Sequence, residues 1–485
     1  VKARNNFTAH AGCVIFGVTS VAAGLALVFA EEVYVSTSST FWPRAGGLLL
    51  MCAATGFVAW SSREWRSSIS LLFAAVAVLY HGFSEVTAAM YGHYRGYRWT
   101  IGTDATETAY VTLYVGVGLA VFGFVHFVVV SSSREIETDT SGYRQLLHRI
   151  DRRILYAWFA VSILYHAGLK NVVGATQPFA YILRSVCLNL FPFLVTLFAL
   201  KIVSLYEEGE YSGKQTLVYG IFLSVTSVFL INARLFLVII ALSIFVLSHK
   251  WDIARFRLRF VAAAIAFMTL LFVVIAGIRM AVGRGSLQEA SPREKITRTW
   301  RGLSTFADSR QVQSATAWQL KNYLGHRFDG NATFGAVFGV RSTRRVGVNF
   351  EVLLPGAIAT VPSALWPAKL DLPPRWRNPV GYLHHWLGLP RQDLTLTPQT
   401  LIYSAGGFGG LLVGMALLGA ALGWLDVRSR VRANFFILML TVCTIVPVAN
   451  GIGKSYYKIW RTTLILWAVV WAIQRVQRME LFARK

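Results

Sequence analysis

Apolar stretches of about twenty residues recur along the chain, each closed by a short polar or Gly/Pro-containing break. A helix of roughly 18–20 apolar residues covers the ~30 Å hydrocarbon core of a bilayer. The pattern predicts spanning helices near 11–30, 45–60, 68–91, 109–130, 154–170, 180–205, 215–231, 234–248, 259–281, 400–425, 433–450 and 460–475. The run 351–366 differs, because it is short and Pro355, Pro362 and Pro367 interrupt it. The expected fold is therefore an all-α polytopic membrane protein with about 12 transmembrane helices (11–13). Its regions are 1–278 with helices one to nine, a large loop region 279–399 on the non-cytoplasmic side, and 400–485 with the last three helices.

Loop charge orients this set, since short cytoplasmic loops are enriched in Lys and Arg. Arg63 and Arg66 lie in 61–67, five arginines lie in 131–153, and Lys250, Arg255, Arg257 and Arg259 lie in 249–259. These alternate correctly as cytoplasmic loops, and Lys2 and Arg4 place the N-terminus on the same side. If 351–366 does not span, the basic turn 426–432 and the basic C-terminus also fall inside. Both termini are then cytoplasmic, and 351–366 is a re-entrant or interfacial segment, which is tolerated where it is buried in protein or lines a wet cavity.

Composition agrees with this layout. Of 485 residues, 55% are hydrophobic and only 14% charged, and mean hydropathy is +0.51; a soluble domain carries roughly 25% charged residues. The net charge of +24 would suggest nucleic acid in a soluble protein. Without a nucleic-acid motif it reads instead as cytoplasmic basic loops and contacts to anionic lipid. Cys13, Cys52, Cys187 and Cys443 lie in apolar runs without a CxxC pair, so they read as small core residues. Glu31 and Glu32 follow the first apolar run in place of a small-residue cleavage site, which favours a helix over a signal peptide.

The loop region 279–399 carries the candidate chemistry. It is rich in arginine, including Arg341, Arg344, Arg345 and Arg391, and acids are fewer. A cationic surface on the non-cytoplasmic side runs against the usual bias, and the planar arginine fork suits phosphate oxygens. Lipid headgroup or solvent contact is the plain alternative. Arg234, in the tight turn Asn232-Ala233-Arg234, and Arg279 with Arg284 at the end of the ninth helix stand at membrane level on one side. Together they would clamp a pyrophosphate; snorkelling at helix ends is the rival reading. Candidates for proton transfer are Glu351, His384, His385 and Asp393, each of which would also serve as a loop hydrogen-bonding group or helix cap. Tyr382, Trp366, Trp376 and Trp386 offer faces for sugars or anchors for the interface. His81 and Glu85 lie one helical turn apart in an apolar helix, as do His166 and Lys170; they line a polar cavity or bridge helices. No spacing points to a metal site, and no GxxxxGK loop points to ATP, so no cofactor is expected. Asn331-Ala-Thr matches a glycosylation sequon by chance.

The turn arginine in Leu-Ile-Asn-Ala-Arg-Leu-Phe, the arginine ending the ninth helix and the long loop resemble the O-antigen polymerase (Wzy-type) and ligase superfamily. The loop's end, Thr-Leu-Thr-Pro-Gln-Thr-Leu-Ile-Tyr-Ser-Ala-Gly-Gly-Phe-Gly-Gly, is similar to the Gly-rich re-entry of such proteins and contains Tyr403. The resemblance implies a metal-independent, inverting glycan transfer between polyprenyl-pyrophosphate-linked substrates in a bacterial inner membrane. Arg234 and Arg279 would bind the pyrophosphate, with Arg284, Arg341, Arg344, Arg345, Arg391 and Tyr403 as further substrate contacts. A loop residue would activate the acceptor hydroxyl. Its partners are the lipid-linked oligosaccharide and membrane lipids, with room for a chain-length regulator. The ligase branch usually carries a His just before the Gly-rich helix, whereas Asp393 to Thr400 contains none. That departure favours polymerase over ligase. A flippase or transporter of an anionic lipid-linked solute is the reading from another class, against which the lack of an internal repeat weighs.

Overall fold

A computed structural model describes residues 41–62, 66, 68–91, 105–133, 141–150, 191–231, 234–254, 292–327, 330–344, 347–361, 366–377, 379–387, 396–431, 433–451 and 453–468, together with isolated positions at 153–160, 266–283, 471 and 475. About 89% is helical, with no strand among the described residues. In chain order the helices are α1 (Phe41–Ser61), α2 (Ile69–Tyr91), α3 (Ala105–Ser132), α4 (Ser141–Arg149), α5 (Phe191–Glu207), α6 (Gly213–Ile231), α7 (Arg234–Lys250), α8 (Pro292–Asp308), α9 (Arg310–Arg327), α10 (Gly330–Arg344), α11 (Leu354–Thr360), α12 (Pro374–Arg377), α13 (Pro379–Leu387), α14 (Pro398–Val431) and α15 (Phe435–Asn450). Residues 459–468 are also helical. The predicted spans 11–30 and 154–170 lie almost wholly outside the described residues. Trp42–Ser61, Ala109–Ser132 and Pro398–Val431 are long and apolar enough to cross a membrane. The described residues are thus all-α, and their long apolar helices are compatible with a protein of the membrane.

Two compact units divide the chain: Val1–Gly142 with His326–Ile465, and Tyr143–Gly325 with Leu466–Lys485. In the first unit α3 is apolar on every side and mostly buried, as expected of a helix enclosed by others. Membrane helices have no hydrophobic drive toward one another, so small residues that let backbones approach supply the packing. Gly47 of α1 and Gly116 of α3 face each other: a Cβ on Gly47 would stand 2.5 Å from the Thr112 carbonyl, and one on Gly116 2.6 Å from Gly47 O. On the opposite side Gly419 of α14 would place a Cβ 2.5 Å from Phe122 O. α3 is therefore the shared wall between α1 and α14.

The two ends of this unit are chemically distinct. Trp42 and Trp60, 73% and 53% exposed, stand eighteen positions apart on α1, which is about 27 Å of helix rise and close to the hydrocarbon thickness. Outward-facing tryptophans at that separation are interfacial anchors. At the Trp60 end, Asp426 near the end of α14 accepts hydrogen bonds from Ser68 Oγ (3.1 Å), Ile69 N (2.9 Å), Ser70 N (3.0 Å) and Ser70 Oγ (2.8 Å). A buried carboxylate thereby satisfies the unpaired N–H groups opening α2, where the helix dipole favours negative charge. At the Trp42 end, Gly453 N donates to Leu396 O at 2.7 Å, joining the residues after α15 to the entry of α14. Cys443 is buried, but Cys52 is exposed on α1, so it faces outward instead of filling the core as expected.

In the second unit a lysine of α5 reaches the end of α4. Lys201 Nζ donates to Leu147 O (3.1 Å) and His148 O (3.2 Å), capping α4. Tyr143 stacks on Trp251, with ring centroids 5.3 Å apart. Gly302 of α8 seats that helix against Ile278 and Val282.

Candidate functional site

The candidate site is built on a break in α14. Gly407 adopts φ +62° and ψ −152°, a region open to glycine and strained for other residues. The break releases carbonyls that a continuous helix would use. Arg341, buried at the end of α10, donates from NH1 to Ser404 O (2.9 Å) and from NH2 to Gly347 O (2.9 Å). Its guanidinium lies 5.7 Å from the centroid of the Tyr403 ring, a cation–π geometry. Phe334 and Phe338 pack against Tyr403, fixing the ring beneath the charge. The next released carbonyl, Ala405 O, accepts from Asn349 N at 2.6 Å.

Residues 347–353 are thereby tied down across the break. The side chain of Asn349 accepts from Glu351 N at 3.2 Å and opens a short 3₁₀ turn, Phe350–Val352. That cap directs the exposed Glu351 carboxylate toward α13, where the Tyr382 hydroxyl donates to Glu351 Oε2 at 2.9 Å. Asn349 Nδ2 reaches the same hydroxyl at 3.5 Å. The Tyr382 phenol is held above its ordinary value, chiefly by burial; the Asn349 amide opposes this and the Glu351 carboxylate adds to it. The phenol therefore stays protonated at neutral pH and remains a donor. Its protonated form is fully present below the ordinary pKa of 10.0. Any stability it lends is lost only as pH rises through the raised folded value.

Cations and rings also gather on α13, which carries Tyr382. Arg344 NH1 donates to Trp386 O at 3.2 Å, tying α10 to α13. Exposed Arg375 donates from NH1 to His385 Nε2 at 3.2 Å. A guanidinium has only donors, so Nε2 is the acceptor and His385 carries its proton on Nδ1 in this arrangement. Trp376 packs on Tyr382 at 5.6 Å between centroids. A carboxylate oriented by a hydroxyl donor in this way can accept a proton from a nearby hydroxyl.

A second polar cluster lies deeper in the same unit. His81 Nδ1 pairs with Asn331 Oδ1 (2.8 Å) and Nε2 with Thr397 Oγ1 (3.2 Å), while Asn331 Nδ2 donates to Thr112 Oγ1 (3.0 Å). This network joins α2, α3, α10 and the entry of α14. Asn331 is fully buried, so the sequon it begins is inaccessible in this fold.

Of the predicted site residues, Glu351, His385, Arg341, Arg344 and Tyr403 are described, and all lie in the first unit. Glu351, Tyr382 and Asn349 come together, as do Arg341 and Tyr403. His385 pairs with Arg375, which sequence reasoning did not single out. Arg234 begins α7 and His384 lies within α13, but the side chains of both lie outside the described residues. Arg279, Arg284, Arg345, Arg391 and Asp393 lie outside them altogether, as does the side chain of Glu85. Asn349 and Gly407 were missed. The weak signal for Asn349 was an Asn two residues before a candidate acid; for Gly407 it was a Gly-rich run read as a helix throughout. The run 351–366 begins with the 3₁₀ turn and α11, whose seven residues rise about 10 Å, a third of the hydrocarbon core.

No protein-family model, no curated protein and no solved structure matches the chain.

Proposed function

We propose that the protein is a polysaccharide polymerase of a bacterial inner membrane. In this reading it transfers a growing glycan from its polyprenyl-pyrophosphate carrier to another lipid-linked repeat unit and releases polyprenyl pyrophosphate. The observation that carries the reading is the Glu351 carboxylate, its backbone N–H bound by Asn349 and its Oε2 held by the Tyr382 hydroxyl. Glu351 takes the proton of the acceptor hydroxyl, the oxygen attacks the anomeric carbon, and the carbon–oxygen bond to pyrophosphate breaks. Arginine side chains neutralise the departing charge. The donor linkage supplies the energy, so the scheme uses neither ATP nor a nucleotide sugar.

Twelve crossings with both termini cytoplasmic suit this reading. The hydrogen bonds of Asp426 to Ser68 and Ser70 join the last turns of α14, which are basic, to the start of α2, and the sequence preceding α2 is basic as well. α11 is too short to add a crossing, and it rests on the opposite end, where Gly356 meets the Tyr457 ring. A second reading, a carrier of an anionic lipid-linked solute, draws on the break at Gly407, since broken helices mark many transporter binding sites.

The test is the length of lipid-linked glycan, resolved on a gel, in a strain lacking the native protein and complemented at matched expression. Wild type is expected to give a ladder and Arg234→Ala single repeat units. Identical distributions would make the turn arginine structural and move the carrier reading ahead.

A further inference from the structure

Two cations meet beneath α11, far in sequence from each other and separate from the Glu351 cluster. Lys369 Nζ donates to Val361 O and, at 3.5 Å, to Ile358 O. Arg461 NH1 donates to Ala359 O at 2.8 Å. All three carbonyls belong to the last turn and exit of one short helix, so the two side chains face the same point. Lys369 is only 8% exposed. Its ammonium is held below the ordinary lysine range, first by burial and then by the charge of Arg461.

Carbonyl capping does not balance this arrangement. A helix end offers at most about half a unit of negative charge, and α11 is short, whereas two full positive charges converge on it. Among the described residues neither side chain meets a carboxylate. An ammonium and a guanidinium together carry about eight N–H donors, and the carbonyls engage only a few of them. A group with several acceptor oxygens and negative charge completes such a pair, and the arginine fork favours phosphate in particular. The depth agrees: Trp460, 60% exposed, precedes Arg461, and Trp366 opens the turn carrying Lys369. Outward tryptophans mark the headgroup level. The site is rigid, because Gly356 seats α11 so closely on Tyr457 that a Cβ would stand 2.3 Å from the ring.

We propose that Lys369 and Arg461 form a binding site for a phosphate-bearing anion at the membrane interface, closed above by α11. Two sources share that chemistry: the headgroup of an anionic phospholipid and a free or lipid-linked pyrophosphate. The proposal does not rest on the polymerase reading, and Glu351 takes no part in it.

The test uses the purified full chain in nanodiscs of phosphatidylcholine, with phosphatidylglycerol or inorganic pyrophosphate as probes. Hydrogen exchange in peptides covering 354–370 and 453–465 reads the site without a mutation. Binding is then compared in Lys369→Gln, Arg461→Gln and the charge-keeping Lys369→Arg. The expected result is slowed exchange in both peptides with at least one probe, and at least tenfold weaker binding in the two Gln variants. Lys369→Arg should bind as wild type does. Slowing by phosphatidylglycerol alone assigns the site to a headgroup; slowing by pyrophosphate, or its displacement of the lipid, assigns it to the pyrophosphate class. Unchanged exchange with both probes, or undiminished binding in the Gln variants, would overturn the proposal and leave the cations as helix caps.

Discussion

Glu351→Gln is expected to reduce turnover of the purified protein by about 10²–10⁴-fold, the usual worth of a positioned general base. The substitution keeps the shape of the side chain and an acceptor for the Tyr382 hydroxyl, so the strap from Gly347 to Leu353 keeps its anchors on Arg341 and Ala405. What it removes is the ability to take a proton. The loss should therefore fall on kcat with KM little changed. Tyr382→Phe removes only the orienting donor, and its effect should stay within about a hundredfold, the worth of a hydrogen bond to a charged group. Turnover of Glu351→Gln within twofold of wild type, measured as released polyprenyl pyrophosphate, would remove Glu351 from the chemistry and turn attention to His385 and Asp393.

Asp426→Ala should produce the largest loss of stability, about 3–5 kcal/mol. The carboxylate is buried, and it accepts from two backbone N–H groups and two serine hydroxyls at the start of α2. Deleting it leaves those donors without a partner where water does not reach them, and each carries a desolvation cost of about 1–3 kcal/mol. The negative charge opposite the helix dipole is lost as well. Because α14 and α2 are joined here, the damage reaches both the break at Gly407 and the His81 network through the same two helices. Asp426→Asn retains one acceptor and should lose less. The apparent unfolding midpoint in detergent checks the order wild type, Asn, Ala. An Ala variant that melts with wild type would show that the cap contributes little.

The helical segments were readable because apolar runs of spanning length have few other solutions in lipid. Helices over 41–61, 69–91, 105–132 and 398–431 cover the predicted runs 45–60, 68–91, 109–130 and 400–425, the last continuing through the basic residues read as a turn. The break at Gly407 was not readable, since glycine serves both close helix packing and positive φ and its neighbours Gly406, Gly409 and Gly410 look alike in sequence. At the site, Glu351 stood out as a rare acid in a basic region. Its partner Tyr382 is thirty-one positions away and was noted only as a ring for sugars. Asp426 looked like part of an Arg-rich turn because its hydrogen-bonding partners lie more than 350 residues distant. Lys369 and Arg461 were obscured in the same way. Local pattern reveals which residues must enter the membrane; the pairing of polar groups depends on which helix ends meet, which one sequence does not display.

The most direct measurement is the product distribution when the purified wild-type protein in nanodiscs receives a single lipid-linked repeat unit, without nucleotide sugar or ATP. The polymerase reading predicts a ladder of lengthening glycans and one polyprenyl pyrophosphate released for each bond formed. A substrate recovered at its original length, whether or not it has crossed a bilayer, would contradict it.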